Sequence, residues 1–334
     1  MKNKETALGL EYWLQWQVLV SALILLLTTV VSVLLLLRKR FSEERGSLKP
    51  ADFWTPCWRN LHPRWLLFYR AFAFIAMAYL LYQTVAAFGF FVFFFYTQWT
   101  FALVMVYFAL ATIVSIRGCR IYARKPLAQT GERDIFIKKD SEDINSGKPS
   151  VSKEKKIRGF IKLEFQHNPT PNEQLGFLEN LLQIIYQTSA GAAMLTDLVF
   201  WCLLLPFMTG KDFQLTLLIG CMHSVNAVFL ILESALNRLP FTWFGLVYFV
   251  LWSCAYVVFQ WVLHACCFTW WPYPFFDLST PWAPLWYLAL GLVHIPCYGL
   301  YVLLKKAKNA AFSRIFPRKF VRSNYFYASS KYRG

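Results

Sequence analysis

The side chains of this chain that could do chemistry are few, and they stand inside long apolar runs. Thr97 sits in Tyr96-Thr97-Gln98-Trp99-Thr100, Asp197 follows Leu195-Thr196, and His223 stands in Cys221-Met222-His223-Ser224 with Asn226 close behind. Glu233, His264 and His294 lie in or at the ends of further apolar segments. An ionisable group surrounded by hydrocarbon is costly, so each needs a reason to be there. A carboxylate such as Asp197 must be neutral or paired and should face a bundle interior. It fits packing polarity and a site role equally well. An imidazole can carry a proton, but a lone buried histidine is more often a hydrogen-bonded structural residue. Thr97 by itself says less still, because threonine is common in apolar helices. Haem ligation by His223 and His294 is geometrically open, yet two histidines in unrelated apolar helices fit structural roles better. No CxxC pair supports a zinc or redox site, and Ser189-Ala190-Gly191 lacks the leading glycine of GxSxG. No metal and no cofactor are expected.

The elements that position these residues follow from how charge is distributed. Of the 334 residues 57% are hydrophobic and 16% charged, against roughly 25% charged in soluble domains. The charges crowd into gaps between uncharged stretches, as in a chain that sits in two solvents. The net charge of +16 therefore points to membrane topology and anionic headgroups at basic loops, not to nucleic acid. The eight cysteines form no disulfide framework.

Spanning a bilayer takes about 20 apolar residues in a helix. Val18 to Leu37 qualifies, and its length and the Arg38-Lys39-Arg40 that follows fit a retained helix better than a cleaved signal. From Ala71 to Ile116 no charge appears, which is room for two crossings. They would begin near Trp65, turn near Gly89 and end at Arg117. Further helices are expected at Leu175 to Met208, Leu215 to Leu232, Trp243 to Leu263 and Leu285 to Leu304. The fold expected is an all-α, polytopic transmembrane bundle of about seven helices. It divides into an N-terminal helix within 1–40, a six-helix core at 60–305 broken by a hydrophilic loop at 117–173, and a basic, aromatic tail at 306–334. The gaps after the first and third helices and the tail carry about seven, thirteen and nine Lys and Arg, and the opposite gaps almost none. By the positive-inside rule the heavy loops and the C-terminus are cytosolic and the N-terminus lumenal or extracellular. The segment Phe268 to Pro284, rich in Trp, Tyr and Pro, should cap the outer face.

Three stretches carry a family likeness: Phe95-Tyr96-Thr97-Gln98-Trp99-Thr100, Tyr186-Gln187-Thr188-Ser189-Ala190-Gly191-Ala192, and Leu195-Thr196-Asp197-Leu198-Val199-Phe200-Trp201. They resemble the rolling stone-like membrane proteins, particularly the plant members, over about residues 60 to 305. A more distant likeness, in Cys221-Met222-His223-Ser224 and Trp271-Pro272-Tyr273-Pro274-Phe275, is to the androgen-induced protein family. Its members are membrane hydrolases that cleave fatty-acyl esters with a threonine and a histidine. The resemblance implies Thr97 and His223 as that pair. The sequence departs from the family at Thr100, where an Asn or Asp is usual, and at Gln98, where an apolar residue is usual.

If the implied chemistry holds, Thr97 attacks an ester carbonyl and His223 takes and returns the proton. Asp197 or Asn226 would then orient the imidazole or donate to the oxyanion. Depth is a constraint. Counted back from Arg117, Thr97 lies at the membrane surface, whereas His223 lies ~13 Å inside on a 1.5 Å rise. The two meet only if the third helix begins near Phe90 and tilts. The alternative class is a non-enzymatic scaffold or interaction protein of the rolling stone type, in which both residues only pack. A transporter is disfavoured, since no internal repeat or charged helix face is visible. Expected partners are membrane lipids, a fatty-acyl ester substrate and anionic headgroups at the cytosolic loops. Protein partners are undefined, and endoplasmic reticulum and plasma membrane are not distinguished.

Overall fold

The structure, a computed structural model, describes residues 9–41, 48–124, 176–208 and 214–321. Seven helical spans in it are long and apolar enough to cross a membrane. The first four are α1 (Trp16–Phe41), α2 (Pro63–Phe88), α3 (Tyr96–Arg124) and α4 (Phe177–Val199). A π-helical stretch, Phe200–Met208, continues α4. The fifth span is split into α5 (Leu217–Met222) and α6 (Val225–Leu236), and α7 (Gly245–Cys266) and α8 (Ala283–Ile315) complete the set. No β-strand forms among the described residues, only two isolated bridges. The chain is an all-α bundle and a multi-pass membrane protein.

In lipid every backbone polar group must be satisfied within the chain, which is why uncharged runs of this length become helices. Their outer faces stay apolar: Leu23, Leu26 and Leu34 of α1 and Phe68, Phe72 and Ile75 of α2 are all more than half exposed. The expected turn after the second span is where Gly89 stands. It caps α2 with φ +71°, a left-handed conformation that costs glycine nothing.

α4 is the central helix and touches α3, α6, α7 and α8. The small run Ala190 to Ala193 permits this, since a Cβ on Gly191 would stand 2.7 Å from the Phe249 ring of α7. α1 packs outside the other six, against α7 and α8. Two helices outrun their expected ends: α3 continues to Arg124 and α8 to Ile315. Both carry basic last turns, and Lys or Arg near a helix C-terminus favours its extension into the headgroup layer. Most of the hydrophilic loop expected at 117–173 lies outside the described residues, as does the tail beyond Val321.

The bundle has two unlike ends. At the Trp58 end, residues 54–59 lie against 235–238 and 316–321. The Cys57 amide donates to the Leu236 carbonyl and the Val321 amide to the Cys57 carbonyl, each at 2.8 Å. Trp58 packs on Phe312, Phe316 and Phe320. So the first residues of the expected tail are docked onto the loop between the first two spans. Just inside this end, Arg70 and Glu233 form a fully buried ion pair at 2.6 Å. Tyr107 Oη and Asn237 Nδ2 also donate to Glu233 Oε1. Arg70 further donates to Ser115 Oγ and the Phe53 carbonyl. Every described Lys and Arg lies in the half of the bundle nearer this end. The other end, marked by Gly89, shows Glu11 and Asp277 and, among the described residues, no Lys or Arg. Residues 267–282 close it, with Phe275, Phe276 and Leu278 buried beneath, as expected of a capping segment.

Candidate functional site

Three local irregularities meet near the Gly89 end. The first is the start of α3. A 3-10 turn, Phe90–Phe94, leads into extended Phe95 and then Tyr96, so Thr97 and Gln98 stand in the first turn of α3. First-turn amides have no partner within the helix. Here Tyr273 supplies one: its hydroxyl accepts the Tyr96 N–H at 3.1 Å. Burial pushes the Tyr273 hydroxyl up to about 12, against the pull of the Thr97 hydroxyl and the Tyr96 and Thr97 amides. The phenol is therefore protonated near neutral pH and remains a donor.

The second irregularity is the break in the fifth span. His223 and Ser224 separate α5 from α6, and Ser224 has φ −146° and ψ −39°. Non-helical backbone at this depth is tolerated only where other groups satisfy it. The Trp201 indole does so by donating to the His223 carbonyl at 2.8 Å. The third irregularity is the π-helical stretch that provides Trp201. Pro206 lies within it and lacks an N–H, so regular α-helix is disfavoured there. The preceding ring, Phe200, stacks on the His223 imidazole at 3.6 Å and 3°. The imidazole is thus fixed by stacking, and its Nδ1 is buried without a hydrogen-bond partner.

These pieces enclose one cavity of about 440 Å³. Thr97 and Gln98 line it from α3, His223 and Met222 from the broken span, Phe200 and Leu204 from the π stretch, and Pro272, Tyr273 and Pro274 from the cap. Phe88 and Phe91 also line it while remaining 51% and 46% exposed. The cavity therefore opens past two exposed apolar side chains. Its volume falls in the usual range for a small-molecule site.

Thr97 and His223 thus line the same cavity, though not by the route expected. α3 begins at Tyr96 and not near Phe90; its extra length lies at the other end. The fifth span begins at Leu217, so His223 is only six residues in, or ~9 Å along a helix. Asp197 and Asn226 go elsewhere. Asn226 Nδ2 donates to Asp197 Oδ1 at 3.3 Å, and neither residue lines the cavity. Neither of them bonds to His223 Nδ1, which is without a partner. Asn226, which is fully buried, serves only Oδ1 of Asp197, and Asp197 Oδ2 is buried without a partner.

Two lining residues were not singled out for a role in the sequence. Gln98 read as a departure from a family pattern, yet its side chain is buried on the cavity wall with Oε1 unpartnered. Tyr273 belonged to a quoted motif but had no assigned part. Thr100, the other departure, is fully buried and receives a hydrogen bond from Thr196 Oγ1 of α4, which makes it a packing residue. His294 uses both ring nitrogens within the protein, with the Leu290 carbonyl at 2.6 Å and Ser253 Oγ at 2.8 Å. It has no nitrogen left for haem iron. Among the described residues no three His, Cys, Asp or Glu side chains gather as metal ligands, and all eight cysteines are free.

Compared with models of known protein families, with curated proteins and with solved structures, the chain matches none.

Proposed function

We propose that this chain is an intramembrane hydrolase of fatty-acyl esters, of the rolling stone-like type. In it Thr97 is the nucleophile, His223 the general base, and the Lys- and Arg-bearing end faces the cytosol. One observation carries the assignment: a hydroxyl from the third span and an imidazole from the fifth line one apolar cavity with the exposed Phe88 and Phe91 at its rim. An acyl chain suits the Phe, Leu, Met and Pro walls, and the polar atoms are confined to where an ester would sit.

The chemistry needs two displacements. Thr97 Oγ attacks the carbonyl carbon while His223 accepts the hydroxyl proton. The negative charge that develops on the carbonyl oxygen lies near the first turn of α3, whose amide dipoles favour an anion. The Gln98 carboxamide and the neutral Tyr273 hydroxyl are further donors within the same wall. Collapse breaks the bond to the alkoxy oxygen, which takes the proton from His223 and leaves as alcohol. Water, deprotonated by His223, then hydrolyses the acyl-threonine and restores both groups. Phe200, stacked on the imidazole, sets the ring plane in place of an orienting carboxylate.

Purified protein should hydrolyse a fluorogenic long-chain acyl ester, with a burst of alcohol release when deacylation is slow. Thr97→Ala and His223→Ala should each abolish turnover while the helical spectrum and melting temperature stay near those of the parent, and Thr97→Ser should retain part of it. Equal rates in parent and variants would overturn the assignment in favour of a non-enzymatic scaffold.

A further inference from the structure

A second cavity, of about 400 Å³, lies at the Gly89 end on the other side of Pro274. Tyr12, Trp270 and Trp271 line it, with His264, Asp277 and Ser279. The N-terminal turn and the cap build it together: Tyr12 Oη and His264 Nε2 are 3.2 Å apart, and the His264 ring stacks on Trp271 at 3.9 Å. His264 is only 6% exposed. Asp277 is held by the Ser279 amide and hydroxyl, both on Oδ1 at 2.9 and 2.7 Å. No Lys or Arg pairs with it among the described residues, because none lies at this end.

Aromatic rings, one carboxylate and no resident cation in a ligand-sized cavity are complementary to a positively charged organic group. We infer that this cavity binds a trimethylammonium group of the choline type. Ring faces attract such a cation through their quadrupole. A methylated ammonium suits these walls better than a metal or a primary amine, since it needs no ring of directed acceptors and its methyl groups pack on indole. Asp277 supplies the opposite charge. The position agrees with the chemistry, because the cavity sits where α7 ends and α8 begins, at the level of lipid headgroups. The ligand is then either a lipid phosphocholine headgroup or free choline.

The test is calorimetric titration of the full chain in a maltoside detergent with tetramethylammonium, choline and 3,3-dimethylbutanol, the uncharged isostere of choline. Both cations should bind, and the isostere at least about tenfold more weakly. Asp277→Asn keeps the Oδ1 acceptor for Ser279 and should weaken choline about tenfold, and Trp270→Ala should weaken it severalfold. Reconstitution separates the sources. Free choline that binds in phosphatidylglycerol vesicles but is displaced in phosphatidylcholine vesicles identifies the headgroup as occupant. Equal binding in both identifies the free ion. Absence of cation binding by the parent chain, or equal affinity for the cations and the isostere, would overturn the inference without recourse to any variant.

Discussion

Two buried polar regions in this bundle are built on opposite principles. At the Trp58 end, Arg70 and Glu233 meet as charges, and Tyr107, Asn237 and Ser115 close around them. Lys305 adds a donor to Asn237 Oδ1. Nearly every polar atom there has a partner, Glu233 Oε2 excepted. Around the cavity near the Gly89 end no ion pair forms among the described residues, and the polar groups are under-bonded. His223 Nδ1 and Gln98 Oε1 are buried with nothing to bind, and both residues face open space. Buried polarity that is saturated fixes one arrangement of helices, whereas buried polarity left unsaturated beside a cavity is available to a ligand.

The sharpest way to break this contrast is to halve the ion pair. Glu233→Ala leaves the Arg70 guanidinium buried and uncompensated, and should destabilise the protein by ~3–5 kcal/mol, read as a fall in melting temperature or in denaturant midpoint. The double change Arg70→Met with Glu233→Leu should recover most of that loss, since well-packed apolar residues can replace such a pair at little cost. If the double variant is as unstable as the single, the network has a role beyond holding helices. At the other region His223→Ala should behave in reverse. Ester turnover should fall by about 10²–10⁴-fold, the usual contribution of a positioned base, with little change in melting temperature. A large loss of stability would move His223 into the same class as Arg70.

Smaller effects sharpen the picture. Gly191→Leu, at the crossing of α4 with α7, forces side-chain volume against Phe249 and should cost about 1–3 kcal/mol. It should do so without selective loss of activity beyond that shared by any loosened bundle. Trp201→Phe removes the donor to the His223 carbonyl and should cost about 1 kcal/mol. Activity should fall more than stability here, because the break that presents His223 to the cavity loses its fastening. A Trp201 variant with unchanged turnover would show that Phe200 stacking alone positions the ring.

Much of this architecture was legible in the chain, because a bilayer turns composition into geometry. The uncharged runs became spans, Gly89 became the turn, and the small residues around Gly191 became a helix crossing. What stayed hidden depends on pairing across distance. Arg70 and Glu233 are 163 residues apart, and Arg70 stands just before the uncharged run that begins at Ala71. Asp197 plainly needed a partner, but the sequence offered it and Asn226 only as supports for His223, whereas the two bond to each other. The break at His223–Ser224, and the π-helical stretch beside it, have weak local signatures: Pro206 hints at one, and nothing in Met222-His223-Ser224-Val225 announces the other. Gln98 was visible only as an exception to a pattern.

The apolar mouth of the first cavity has a kinetic corollary. On the proposed function, with the exposed Phe88 and Phe91 at its mouth, a fatty-acyl substrate is expected to arrive from the leaflet and not by collision from bulk water. Occupancy then follows the mole fraction of ligand among neighbouring lipids. Diluting proteoliposomes with buffer leaves saturation untouched, whereas adding inert phospholipid or detergent lowers it, and a Michaelis constant quoted per litre would have no fixed value.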